Sequence, residues 1–194
     1  MACDLAFASI AEACCGPKWV VSQSTPSSAE LSEQCLKDAG LEVFTQEGAS
    51  FVTLEKHGRL RGCIGSLIAS RPLSADIVAN AAAAALCDPR FPSLQEKEIP
   101  DVRVAISILS VPADIDCRSE AELVAALEPG KDGLILHYGT RRATYLPSVW
   151  EQLPDPAQFV TELKRKAGFD ESFWHEEIKC QRYHVHYIKC CSVF

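Results

Sequence analysis

The strongest constraint on the fold comes from two β-forming runs that only two residues separate. Residues 50–56 read SFVTLEK and residues 59–65 read RLRGCIG, and β-branched and aromatic side chains of this kind favour strands. His57 and Gly58 stand between the runs, and a two-residue connection with glycine at its second position is typical of a tight β-hairpin. The sequence therefore predicts a hairpin within residues 50–67.

In a hairpin of regular register, Cys63 would share a face with two arginines. The turn would pair Leu54 with Arg61, and Val52 would then stand opposite Cys63. Alternation would place Arg59, Arg61 and Cys63 on one side of the strand. Arg61, about 6–7 Å away along the strand, would favour the thiolate, whereas burial beside Val52 would oppose it. Cys63 is then either a reactive, ligand-contacting thiol or a small core side chain between glycines.

The rest of the chain mixes helices and strands without strict alternation. Helical spacing and capping residues predict helices at 3–15, 27–40, 73–86, 119–127 and 155–167. Runs of β-formers predict strands at 102–109, 133–139, 141–147 and 178–189. A length of 194 residues suits one domain with a main core. The order of elements favours an α+β fold over a doubly wound sheet.

Composition argues against two classes of partner. The net charge is −7 and no run of lysine and arginine occurs, so the chain is not expected to bind nucleic acid. No apolar stretch approaches the roughly 20 residues that span a bilayer, and the first residues lack the basic start of a secretory signal. We therefore expect a cytoplasmic protein without a membrane segment.

Five blocks resemble, in order, the AMMECR domain family, whose bacterial members are called AmmeMemoRadiSam system protein A. They are FVTLEKHGRLRGCIGSL, RPLSADIVANAAAAALCDPRFPSL, VRVAISILS, GKDGLILHYGTRRATYLPSVWEQL and FVTELKRKAGF. The resemblance implies one α+β domain of two lobes over residues 1–194. An antiparallel or mixed sheet flanked by helices would form the larger lobe. A smaller lobe is expected within residues 70–130, with a cleft near the arginine–cysteine motif.

The resemblance also implies partners, a Memo-like protein and a radical S-adenosylmethionine protein, but no particular reaction. Two functions follow. One is an enzyme that uses the Cys63 thiol on a small anionic substrate. The other is a non-catalytic adaptor whose cleft docks one of these partners.

Polar residues on several elements define the predicted site. The predicted ligand-binding residues are Arg61, Asn80, Asp88 and Arg90, and the predicted catalytic residue is Cys63. Asn80 lies on the alanine-rich helix, and Asp88 and Arg90 follow it; one polar group from each of several elements is what a small-molecule site needs. Structural alternatives stay open: an ion pair for Arg61, and a bridge between two loops for Asn80. Asp88 could instead cap a turn and pair with Arg90.

The sequence identifies no cofactor and no metal site. The ten cysteines include no C-x-x-C pair, which argues against a zinc ribbon or a thioredoxin-like site. His184 and His186 could chelate a metal with Cys180, but an exposed edge strand explains the same pattern, and no further ligand can be named. No glycine loop with a lysine is placed to cradle phosphate. We therefore predict no metal site.

Overall fold

The structure is a computed structural model that describes residues 2–15 and 42–189. The described chain divides into two compact units. The first contains the residues up to Leu109 and those from His186 onward, and the second is Ser110–Val185. The helix predicted at 27–40 lies outside the described residues.

The described chain contains four α-helices and eight strands in an α+β arrangement. In chain order they are α1 (Ala2–Cys15), β1 (Ala49–Lys56), β2 (Arg59–Gly65), α2 (Leu73–Leu86), β3 (Val102–Leu109), β4 (Ala113–Ile115), α3 (Glu120–Ala126), β5 (Gly133–Tyr138), β6 (Arg141–Tyr145), α4 (Pro156–Lys166), β7 (Lys179–Tyr183) and β8 (Val185–Lys189).

The first unit is a four-stranded sheet in the order β2-β1-β3-β8. The predicted hairpin is confirmed: His57 and Gly58 form its turn with φ angles of 52° and 74°, as a mirror-image turn requires. α1 and α2 pack on each other, and α2 packs on both strands of the hairpin. Val52 and Leu54 are fully buried beneath Ile77 of α2, and each such side chain stabilises the unit by about 1.5–3 kcal/mol.

The second unit is a four-stranded antiparallel sheet in the order β4-β7-β5-β6 with α3 and α4. Its core contains Phe159 of α4, which stacks on Trp150 with ring centroids 3.8 Å apart. Ser119 accepts a hydrogen bond from the Glu122 amide and begins α3, as its predicted capping role requires. Asp155 caps α4 in the same way, accepting from two backbone amides.

One prediction differs from the structure. The final strand predicted at 178–189 is wrong as one element: it is two strands, β7 and β8, in different sheets, with His184 between them. The second compact unit is Ser110–Val185, and α2 packs against β1 and β2 in the first unit; the smaller lobe expected within residues 70–130 stays a prediction. Within the described ranges, no helix is long and apolar enough to cross a bilayer.

Candidate functional site

A β-bulge in the hairpin changes the neighbours of Cys63. The register shifts between Leu54 and Glu55, so Leu54 pairs with Gly62 and Thr53 pairs with Cys63. The predicted pairings of Leu54 with Arg61 and of Val52 with Cys63 are therefore wrong. Arg61 is the extra residue on the bulged strand, and such a residue has no cross-strand partner.

The bulge also changes which side chains share a face. Leu60 pairs with Glu55, which lies two residues from Thr53, whereas Arg59 pairs with Lys56. Because side chains alternate along β1, Leu60 lies on the face of Cys63 and Arg59 lies on the opposite face. The predicted grouping of Arg59 with Cys63 is wrong for this reason.

Close approach of other groups explains both glycines beside Cys63. A Cβ atom on Gly62 would lie 2.1 Å from the carbonyl oxygen of Ala84 on α2. A Cβ atom on Gly65 would lie 2.2 Å from the ring of Phe51. Both distances are far shorter than any real carbon contact, so the signature contains glycine where strand and helix backbones, or strand and ring, pack directly together.

Cys63 is held by Asp88 and Arg90. Its backbone amide donates a hydrogen bond of 2.8 Å to Oδ2 of Asp88, and its carbonyl oxygen accepts one of 3.2 Å from Nη2 of Arg90. Its sulfur accepts a hydrogen bond of 3.3 Å from Oγ1 of Thr53. The thiol is half-buried, and the Arg90 side chain is 54% exposed. An edge strand can offer backbone N–H and carbonyl groups to a neighbouring strand. At Cys63 both of these groups are occupied by the side chains of Asp88 and Arg90.

Asp88 and Arg90 form a strongly coupled ion pair. Nε and Nη2 of Arg90 donate to the two carboxylate oxygens at 2.9 and 2.7 Å, in the bidentate geometry that Arg and carboxylate favour. These hydrogen bonds, assisted by the Cys63 amide, hold the pKa of Asp88 far below its usual range although burial opposes the shift. The pKa of Arg90 is raised, first by the hydrogen bonds to Asp88 and to a lesser extent by Cys63. Both groups are therefore charged at neutral pH.

Arg61 pairs with Glu98, in the 3-10 turn before β3. Its Nε and Nη2 donate to the two carboxylate oxygens at 3.3 and 3.0 Å, and Lys56 donates to the same carboxylate at 2.9 Å. The hydrogen bonds from Arg61, followed by the one from Lys56, lower the pKa of Glu98 to about 2 although burial opposes the shift. The Arg61 side chain is only 12% exposed. Its contacts match the structural ion pair that the sequence analysis considered as an alternative to ligand binding.

Asn80 belongs to a buried polar network around Asp76, one turn earlier on α2. Nδ2 of Asn80 donates to Oδ2 of Asp76 at 2.8 Å and to the Ser50 carbonyl oxygen at 3.0 Å. Asp76 also accepts from the amide and hydroxyl of Ser50, from the hydroxyl of Ser66 and from Nε of Arg71. The network fixes the start of β1 and the segment after β2 to α2, which matches the bridging role considered for Asn80.

The structure thus brings three of the five predicted residues into direct contact. Cys63, Asp88 and Arg90 form one cluster, whereas Arg61 and Asn80 contact other groups and share no hydrogen bond with it. Sequence reasoning missed Asp76, which the i, i+4 spacing to Asn80 could have indicated. It also missed Glu98, for which no local pattern signals a contact 37 residues away.

His184 and Cys180, which were considered as metal ligands, contact other groups. His184 hydrogen-bonds Oδ1 of buried Asp132 at 2.9 Å, whereas Cys180 lies beside Cys117 and its pKa is raised chiefly by burial. Among the residues that the structure describes, no group of three or more candidate ligands could hold a metal ion.

Comparison with known proteins identifies a family and several relatives of this chain. A model of the AMMECR1 family matches residues 3–188. A protein of Methanothermobacter thermautotrophicus is 36% identical over 144 residues, which are 73% of this chain and 75% of that protein. A Thermotoga maritima protein is 38% identical over 146 residues, or 74% of this chain and 79% of that protein. A Sulfolobus acidocaldarius protein is 36% identical over 148 residues, or 73% of this chain and 65% of that protein.

A solved structure shows the same fold. The crystal structure of an uncharacterized protein from Pyrococcus horikoshii has a TM-score of 0.74 and 26% sequence identity. The match covers 96% of this chain and 88% of that one. The predicted α+β fold is confirmed. Because relatives occur in archaea as well as in a bacterium, the resemblance does not restrict the chain to bacteria.

Proposed function

The chain belongs to the AMMECR1 family, and from this premise we propose that it binds a small anionic ligand beside Cys63 and Arg90. The observation that carries the proposal is a half-exposed guanidinium held against the backbone of a half-buried cysteine. Asp88 acts as the positioning residue, because it fixes both the Cys63 amide and the Arg90 side chain.

Arg90 retains hydrogen-bonding capacity for a ligand. Its Nε and Nη2 atoms donate to Asp88 and Cys63, and 54% of the side chain is still exposed. A guanidinium presents several N–H groups in a plane and suits carboxylate or phosphate oxygens. The Asp88 carboxylate holds the guanidinium in place before a ligand arrives, so little side-chain entropy is lost on binding.

Cys63 supplies a thiol at the same place. A thiol next to a cation is the environment in which cysteine reacts or contacts a ligand, so the enzyme hypothesis assigns the nucleophile role to Cys63. Arg61 and Asn80 support the site indirectly through the bulge and the Asp76 network. Direct ligand contact by these two residues stays a prediction.

The test is protection of Cys63 from iodoacetamide, measured by peptide mass spectrometry. Inorganic phosphate, pyrophosphate and citrate serve as probes, with potassium chloride at matched ionic strength. We expect saturable protection of Cys63, with no effect on Cys117 of the other unit. The Arg90→Gln variant should lose protection. The control Arg103→Gln removes an exposed arginine from β3 and should retain it. Equal modification of Cys63 with the probes and with chloride would remove the basis of the proposal.

We propose the adaptor as a second candidate, in which this face docks a Memo-like or a radical S-adenosylmethionine protein. The observation in its favour is that β2 lies at the edge of the described sheet and that Leu60 on it is 43% exposed. An edge strand can pair with an extended segment of another protein, and Leu60 would then lie at the contact.

Co-elution of the purified chain with each purified partner tests the adaptor. Leu60→Ser should weaken co-elution, whereas Val43→Ser, at an exposed apolar position away from the hairpin, should not. If neither partner co-elutes with the unmodified chain, the adaptor hypothesis fails while the ligand proposal is unaffected.

A further inference from the structure

A surface of the second unit combines aromatic rings with exposed carboxylates. Residues 170–177 read DESFWHEE, and Phe173, Trp174 and His175 in this segment are half-buried while its four acidic residues are exposed. We call this segment, together with Tyr138 of β5, the acidic aromatic surface. It is separate from Cys63 and Arg90 and does not depend on the proposed ligand site.

The rings of Tyr138, Phe173 and His175 in this surface form one connected cluster. The ring of Tyr138 lies 5.4 Å from that of Phe173 and 4.8 Å from that of His175, between centroids. Phe173 stacks on Phe169 at 4.7 Å. The Arg141 guanidinium lies 5.1 Å from the centroid of Phe169, so this cluster already makes one cation–π contact with an arginine of its own chain.

A buried lysine holds the segment in shape. Lys164 of α4 is fully buried, and its ammonium group donates to the backbone carbonyl oxygens of Glu171 and Phe173 as well as to the carboxylate of Glu120. The indole of Trp174 donates to the Arg118 carbonyl oxygen at 3.1 Å. Burying a charged ammonium is costly unless it is fully hydrogen-bonded, and here the hydrogen bonds fix the backbone beneath the half-buried rings and the exposed carboxylates.

Two of the four carboxylates of the surface have no ion-pair partner among the described residues. Glu171 pairs with Arg165, and Glu177 is 4.0 Å from the imidazole of His175. Asp170 and Glu176 have no ion-pair partner among residues 2–15 and 42–189. The segment DESFWHEE contains four acidic residues and no lysine or arginine. The two unpaired carboxylates therefore favour a cation at this place.

We propose that the acidic aromatic surface docks an arginine-containing basic segment of a partner protein. The carboxylates supply charge complementarity, and the ring faces supply the stacking that guanidinium groups favour over ammonium groups. A nucleic acid is disfavoured at this surface by its negative charge. Because the backbone of the segment is already fixed by Lys164, docking would not require the surface to fold on binding.

Fluorescence anisotropy with labelled peptides tests the proposal. One peptide alternates arginine with glycine, and the second alternates lysine with glycine; each is titrated with the full chain. We expect the arginine peptide to bind more tightly. Glu176→Gln combined with Glu177→Gln should weaken its binding roughly three- to tenfold, since each exposed charge contributes modestly.

Two further variants make the result decisive. Glu47→Gln combined with Glu96→Gln removes the same charge from exposed positions of the first unit and should leave binding unchanged. Phe173→Leu keeps an apolar side chain but removes the ring, and it should reduce the preference for arginine over lysine. Equal weakening by both double variants would show general attraction to a chain of net charge −7 and overturn the proposal. Equal affinity for both peptides would overturn it as well.

Discussion

Neutralising Glu98 tests whether the arginine of the signature motif serves as an ion-pair partner. The carboxylate accepts hydrogen bonds from Arg61 and Lys56, and these lower its pKa from 4.5 to about 2. The difference between these two pKa values corresponds to about 3 kcal/mol of folding free energy. Because the Glu98 side chain is only 15% exposed, solvent screening reduces this value little. Glutamine resembles the protonated carboxyl, so Glu98→Gln should destabilise the chain by about 3 kcal/mol at pH 7.

The sign of the pH dependence follows from the depressed pKa of Glu98. Its contribution is complete above the unfolded-state pKa and is lost as pH falls through the folded-state value of about 2. The difference between the unmodified chain and the variant should therefore shrink to roughly 1–1.5 kcal/mol at pH 3. Other acidic groups titrate in both proteins, so their effects cancel in the difference.

Urea denaturation at pH 7 and pH 3, followed by far-ultraviolet circular dichroism, measures this difference. Glu96→Gln is the matched control, because Glu96 is an exposed residue of the same turn and should change stability by less than about 0.5 kcal/mol. A loss below about 1 kcal/mol at pH 7, or the same loss at both pH values, would refute the ion-pair account of Arg61.

Three further predictions concern packing and electrostatics. Gly62→Ala should destabilise the chain by about 3 kcal/mol or more in urea denaturation, because its Cβ would meet the Ala84 carbonyl oxygen; the control Gly58→Ala, strained only by its positive φ, should cost about 1 kcal/mol. Lys164→Met should speed amide hydrogen exchange in residues 171–173, and unchanged exchange would contradict its anchoring role. Asp88→Asn should lose less free energy of unfolding than the unmodified chain when urea denaturation is repeated at acidic pH. The reason is that a carboxylate with a strongly lowered pKa stabilises the fold at neutral pH and loses that contribution on protonation.

The sequence predicted the elements whose signals are local. The hairpin at His57 and Gly58, the strand at 102–109 and the cap at Ser119 rest on turn chemistry, alternation or a capping residue, and all three are confirmed. The pairing inside the hairpin was wrong because a bulge depends on long-range contacts. The pairing of Arg61 with distant Glu98 is one that no short pattern reveals.

The same limit applies to the candidate site. Asp88 and Arg90 lie two residues apart, so their pairing could be predicted from a turn. Asp88 and Arg90 reach Cys63 only because α2, which they follow in the chain, packs across the hairpin. That packing brings Ala84 of α2 close to Gly62. Cys63, Asp88 and Arg90 could be named from the sequence, but the separation of Arg61 from them required the fold.

Alkylation of Cys63 by an anionic and a neutral reagent tests the central claim most directly. Iodoacetate and iodoacetamide attack the same sulfur and differ in charge, so their rate ratio at Cys63 reports local attraction of anions. The account predicts that the rate with iodoacetate divided by the rate with iodoacetamide is higher in the unmodified chain and in Arg103→Gln than in Arg90→Gln. A ratio at Cys63 that Arg90→Gln leaves unchanged would contradict the account.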